Sequence, residues 1–312
     1  MARYDDIYRY FIKTMSINDV KAYNENVKHI ISFEMSDFKS SSQEDKNLSA
    51  ISFFQLISDQ MLGEFMYFTN KDHKYHNRSL CDYIALKSIE MLLLYAAKDK
   101  TNRYGIQPDY IGRSFLSLMA CNQFTVPEKV YDEIVSSVID GTIKSAMTYD
   151  DGSFDTQKLF VLLMEMLASE QKQTIDWAAA GIPVERFYDD FVKEALYSTD
   201  EKKVSEWLIA LCDQHLKWCS RFPEVAKEEY GYDIPVEMHL WPFEYHAVKN
   251  LRLKHGLDTP EINHPLMKAA FSAIPVPDFK QWEKPQWFSE ICEELFRLNP
   301  EIVFIQKEFQ GS

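Results

Sequence analysis

The sequence predicts an all-α fold, on three observations. Apolar residues recur at three- and four-residue spacing over long stretches, the period of a helix that buries one face. Only 9 of the 312 residues are glycine, which leaves few positions for the positive-φ turns of tight β-hairpins. No clear strand pattern appears, with "EIVFIQKEF" at the C-terminus as the one candidate. A chain of this length is sized for one compact multi-helix bundle or for two packed helical halves. A single domain over 1–312 is the primary expectation. The loops at 100–112 and 140–156 are where halves 1–150 and 151–312 would divide.

Each element has its own signal. From Ser16, a potential N-cap, Val20, Tyr23, Val27, Ile30 and Ile31 form one stripe. The polar stretch 37–49 reads as a loop, and 50–68 and 79–99 read as long, largely buried helices. The glycine and proline in "KTNRYGIQPDYIG" mark another connection. In "TVPEKVYDEIVSSVIDG", Thr125 and Glu128 have capping-box spacing, Pro127 falls in the first turn and Gly141 stands as the stop. The segment 156–171 is apolar nearly all round, as a central helix is. Ser198 and Glu201 repeat the capping-box spacing before a stripe of Val204, Trp207, Leu208, Leu211, His215 and Trp218.

Beyond residue 257 prolines crowd the sequence, so an irregular wrap held by Trp282, Trp287 and Phe288 is expected. A helix over 287–298 closes before Asn299-Pro300. "EIVFIQKEF" is the sole strand candidate.

Composition excludes several classes of function. The net charge is −14, from 34 basic and 48 acidic side chains. Nucleic acid and anionic membranes both require a basic surface, so neither is the expected partner; a basic protein is. The first thirty residues hold no apolar signal-peptide core, and the longest apolar runs are too short for a bilayer. The five cysteines, Cys81, Cys121, Cys212, Cys219 and Cys292, are odd in number and form no CxxC pair. Buried free thiols in a reducing cytoplasm follow.

No complete catalytic pattern stands in the sequence. His73 and His76 form an HxxH in an exposed connection without the glutamate of a metal motif. "YDDGSFD" resembles a calcium loop only superficially, because counting from Asp150 puts Gly152, Phe154 and Val161 where oxygen ligands belong. No GxSxG, P-loop or GxGxxG occurs. His215 on an apolar stripe reads as a satisfied core histidine, and Glu165 within "FVLLMEML" as a buried carboxylate that needs a partner. No cofactor and no metal is expected.

The segment "MHLWPFEYHAVKNLRLKHGLD", residues 238–258, carries three of the eight histidines. Pro242 suits a first turn and Gly256 a stop, so His239 lies before the helix and His255 in its last turn, well over a turn from His246. Lys249, Arg252 and Lys254 gather near its C-terminal end, where the helix dipole favours cations.

This segment resembles the C-terminal region of PoNi-type immunity proteins, through Trp241, Phe243, Glu244, Ala247, Gly256, Leu257 and Asp258, followed by His264-Pro265. The resemblance covers about a tenth of the chain. It implies an all-α, non-enzymatic protein that binds and neutralises a cognate bacterial toxin, a nuclease, with Trp241, Phe243, Glu244 and Gly256 as structural anchors. An acidic surface would then occlude the toxin's basic cleft, with Asp150, Asp151, Asp155, Glu228 and Glu229 as contact groups chosen for clustering. Two alternatives stand: a helical enzyme using Glu165 or a histidine cluster, and a helical scaffold or regulator.

Overall fold

The computed structural model describes residues 2–17, 20–97, 107–143, 156–219, 234–272 and 274–310. Among them the chain is all-α. The helices are α1 (Ala2–Thr14), α2 (Val20–Ser40), α3 (Lys46–Asp72), α4 (Asn77–Tyr95), α5 (Pro108–Ala120), α6 (Thr125–Ile139), α7 (Leu159–Gln171), α8 (Arg186–Glu194), α9 (Glu201–Trp218), α10 (Phe243–Lys254) and α11 (Gln286–Leu298). Extended pairing among these residues amounts to two isolated bridges, Gln157 with Val184 and Cys219 with Ile234. The chain forms two compact units, each assembled from two stretches: 1–12 with 103–274, and 13–102 with 275–312.

In the first unit, α5 crosses the start of α7 at backbone distance. A Cβ on Gly112 would stand 2.3 Å from the Phe160 nitrogen and 2.4 Å from the Leu159 carbonyl carbon. One turn earlier on the same face, the Asp109 carboxylate accepts from the Lys158 N–H at 3.1 Å and the Phe160 N–H at 2.8 Å. α7 has no capping side chain of its own, so α5 supplies the acceptor that its first amides lack. Gly112 and Pro108 therefore serve a helix and not the connection expected over 100–112: Pro108 sits in the first turn of α5, where its missing N–H costs nothing. α7 itself is buried from Leu159 to Ala168 apart from Glu165.

Two other long-range ties close helix ends in this unit. Arg3 donates from Nε to the Leu216 carbonyl at 2.8 Å, joining α1 to the last turn of α9. The buried Arg252 of α10 donates from Nη1 to the carbonyls of Ala195, Leu196 and Ser198, just past α8, and from Nη2 to that of Asp258. A guanidinium suits this work because its fork reaches several acceptors at once and favours the negative end of a helix. α10 then stops as a Schellman turn. Gly256 has φ +69°, its N–H reaches Leu253, and the Leu257 N–H reaches Arg252 at 2.9 Å.

The second unit packs α3 against α4, with α2 and α11 alongside. Every side chain of α4 from Ser79 to Tyr95 is buried, including Lys87, whose ammonium meets Glu90 at 2.7 Å. The proline-rich stretch is fixed by side chains that imitate backbone pairing. Asn77 donates to the Asp278 carbonyl at 2.9 Å and accepts its N–H at 2.8 Å. Trp282 donates its indole N–H to Asp82 at 2.7 Å and packs edge-on against Phe279, Phe288 and Phe309.

Several local expectations are corrected. α2 runs on to Ser40 and α3 begins at Lys46, so the loop expected over 37–49 shrinks to five residues. Ser16 does not cap α2; its hydroxyl donates back to the Lys13 carbonyl. Neither capping box forms. Thr125 lies inside α6, whose cap residue is Phe124, and Glu128 pairs with Lys254 instead, at 2.6 Å. Asp200, not Ser198, caps α9 by accepting from the Lys203 N–H. "EIVFIQKEF" is part of a 3-10 helix over Pro300–Gln310, burying Ile302, Ile305 and Phe309 at near-threefold spacing.

The α5–α7 contact yields a test. Gly112→Ala drives a methyl into backbone that cannot step aside and is expected to cost about 3 kcal/mol or more. Gly256→Ala has open space around its Cβ and is expected to cost only about 1 kcal/mol for its left-handed backbone. Urea unfolding midpoints of the two variants should fall in that order.

Candidate functional site

A buried cluster of ionisable groups lies in the first unit, where α9 meets α10. His215 projects from the last turn of α9 and Glu244 from the first turn of α10, and both are 1% exposed. Helical periodicity places each inward: His215 follows Leu208, Leu211 and Cys212 on the buried face of α9, and Glu244 lies between Phe243 and Tyr245 in a turn with no exposed side. His215 Nδ1 approaches the two Glu244 carboxylate oxygens at 3.1 and 2.8 Å. Its Nε2 lies 3.1 Å from the His239 carbonyl oxygen. The Cys219 thiol faces the same oxygen at 3.9 Å, and the Phe243 ring stands edge-on to the imidazole at 5.8 Å.

The partners fix the protonation. A carbonyl oxygen only accepts, so Nε2 carries hydrogen. Nδ1 faces a carboxylate, which also accepts when ionised. Burial, the largest single influence, works against charge on the ring; the Glu244 carboxylate and the Cys219 sulfur together outweigh it and hold His215 protonated well above its ordinary range. Glu244 thus faces an imidazolium at hydrogen-bond distance. The nearby Cys212 thiol is pushed well up, by burial first and by Glu244 and Asp213 next, so it stays protonated and inert.

Cysteine, histidine and glutamate together are the residue types of a thiol hydrolase. The geometry serves another purpose. A catalytic imidazole must offer one nitrogen to the thiol's proton, whereas here Nε2–H is spent on the His239 carbonyl. A nucleophile must also meet substrate, and Cys219 is 0% exposed. The cluster ties α9 and α10 to the backbone of His239, which follows the 3-10 turn Val236–Met238.

Other chemistry-bearing residues among those described are engaged in internal contacts, and the three histidines of 238–258 do not converge on one another. Within 238–258, the His239 ring lies 5.7 Å from Tyr10. His246 donates from Nε2 to the Phe271 carbonyl at 3.2 Å, and burial lowers it to about 4. His255 meets Glu170, which also takes Lys254 at 2.8 Å and the Tyr197 hydroxyl at 2.9 Å. Trp241 is fully buried beside Phe243, at 6.0 Å. Glu165 is raised by burial and accepts the Trp177 indole N–H at 2.6 Å. His76 pairs with Asp72 at 3.1 Å and stacks on Phe68, while His73 ends α3 in the left-handed conformation. All five cysteines are free and buried. Among the described residues no group of three or more His, Cys, Asp or Glu is placed to hold a metal, and no helix is long and apolar enough to cross a membrane. Asp150, Asp151, Asp155, Glu228 and Glu229 lie outside the described residues.

The His215–Glu244 pair is the principal feature that sequence reading did not assemble. Its signal was present in two halves: a histidine on an apolar stripe and a glutamate beside Phe243, each demanding a partner once buried. Nothing linear joins residues 29 apart on different helices.

Compared with models of protein families, with curated proteins and with solved structures, the chain matches none.

Two of the buried histidines of this unit, His215 and His246, should titrate in opposite senses. Unfolded, each has a value of about 6.5. His215 is raised on folding, so its contribution to stability is complete below about pH 6.5 and is lost as pH rises through the folded value. His246 is depressed, so its contribution is lost as pH falls from about 6.5 toward its folded value of about 4. Nitrogen-15 spectra of the imidazoles at about pH 7 should show protons on both nitrogens of His215 and on Nε2 alone of His246. A neutral His215 there would overturn the ion-pair assignment.

Proposed function

We propose that this chain is an immunity protein that acts in the cytoplasm by binding a cognate bacterial toxin, a nuclease, and occluding its basic active-site cleft. One observation carries the reading: the acidic surplus is left for the surface. Among the described residues the buried carboxylates are those of Asp82, Glu90, Asp109 and Glu244, and the buried cations are Lys87, Lys158 and Arg252. Among the described residues burial removes nearly equal numbers of each sign, so their acidic surplus stays on the surface to meet a partner. A nuclease cleft gathers cations to bind phosphates, and an acidic partner both accelerates encounter and competes for that site.

The resemblance of 238–258 to PoNi-type immunity proteins supports the same reading. So does the engagement of His215, Glu244, Glu165 and the cysteines in internal contacts, which leaves them to hold the fold. The contact groups in this proposal are Asp150, Asp151, Asp155, Glu228 and Glu229. Neither nucleic acid nor membrane is a direct partner, and no cofactor takes part.

The test is co-expression with the nuclease encoded beside this gene. The proposal expects restored growth and a complex stable to gel filtration. Failure of both would remove the proposal. In that complex, replacing Asp150, Asp151 and Asp155 by lysine should slow association roughly tenfold at low ionic strength and leave the melting temperature unchanged. An association rate indifferent to both salt and these substitutions would exclude the acidic stretch as the contact surface.

A further inference from the structure

An open groove of about 930 Å³ lies on the second unit, alongside α2. Asn24, Lys28, Ile31, Met35 and Lys39 recur on one face of that helix at spacings of three and four. They carry the groove across four turns, about 22 Å at 1.5 Å per residue. Its floor is apolar: Val27, Ile31 and Met35 of α2, Met61 of α3 and Trp287 at the start of α11. Length, apolar floor and helical periodicity are those of a groove that accepts another helix, and its two methionines adapt to the side chains laid on them.

The rim reverses the sign of the rest of the protein. Lys28, Lys39 and Arg78 border the groove. Lys28 is exposed and forms no ion pair among the described residues. The Arg78 guanidinium is 63% exposed and reaches Asp82 only at 3.9 Å. Lys39 meets Glu290 at 3.0 Å in an exposed pair, a contact weak enough to be exchanged for another. The two carboxylates in the groove already have internal donors: Glu64 takes the Ser79 hydroxyl at 2.7 Å, and Asp82 takes the Trp282 indole N–H at 2.7 Å. The groove therefore presents outward-facing cations around an apolar floor, within a chain of net charge −14.

We infer that this groove binds an amphipathic helix of a partner polypeptide, its apolar stripe on the floor and acidic residues against Lys28, Lys39 and Arg78. The inference does not depend on the toxin reading, since it rests on the second unit alone.

The experiment uses the full chain and a fluorescein-labelled synthetic helix of about five turns, with leucines on one stripe and glutamates flanking it. Anisotropy is read at physiological salt, beside an isomer with lysine for each glutamate. The acidic helix is expected to bind. The double variant Lys28→Glu/Arg78→Glu should weaken it roughly tenfold, and Ile31→Glu should abolish it, with both variants melting as the parent does. Because the two replaced cations are exposed, the double variant keeps the test open even if Ile31→Glu perturbs the fold. No binding of the acidic helix, or binding that both variants leave intact, overturns the inference. Concentration-dependent dimerisation lost in the same variants overturns it too, in favour of a second copy of the chain. The toxin is absent throughout, so the outcome is separate from that of co-expression.

Discussion

The buried pairing of His215 with Glu244 is the constraint on which the first unit depends. Removing two ionisable groups from water is costly, and the cost is offset only if each finds its counterpart at hydrogen-bond distance. Here the carboxylate faces Nδ1 at 2.8 Å and a backbone carbonyl faces Nε2 at 3.1 Å. That requirement fixes the register of α9 against α10. A slip of one residue on either helix turns a charge toward apolar neighbours with nothing to answer it. Such a pair adds little net stability compared with a well-packed apolar substitute; its effect is to make alternative packings expensive.

The same logic recurs at longer range in both units. Asp109 caps α7 from α5, Arg252 closes the carbonyls beyond α8, and Asn77 pairs with the backbone of Asp278. In each case a polar group on one helix completes the unsatisfied end or edge of a distant segment. This economy bears on function. Among the described residues, His215, Glu244 and Glu165 are occupied in internal contacts, and the proposed recognition of a charged partner rests on that engagement.

Much of this was legible in the sequence, and the rest was not for identifiable reasons. The all-α class followed from periodicity, and so did the cores of α3, α4, α7 and α9, because the three-and-four spacing is a direct image of one buried face. Gly256 read correctly as a stop, since a glycine after a cationic last turn is a local signal. Thr125 and Ser198 misled because capping spacing is permissive, and tertiary partners decide: Glu128 went to Lys254, and the neighbouring Asp200 took the cap at α9. Gly112 looked like a loop residue because nothing local distinguishes a turn glycine from one pressed against another helix. The His215–Glu244 pair and the two-stretch assembly of each unit are long-range facts that no linear pattern carries. The acidic stretches at 150–155 and 228–229 were chosen by clustering alone, and they lie outside the described residues.

The central claim is that His215 and Glu244 are a structural tie rather than an active centre. A double-mutant cycle on unfolding free energy tests it most directly, with His215→Phe, Glu244→Leu and the combined variant. Either single substitution leaves a buried group without its partner and should cost about 3–5 kcal/mol. The double variant should cost no more than either single, a strong positive coupling. Additive losses, or single variants as stable as the parent, would contradict the account.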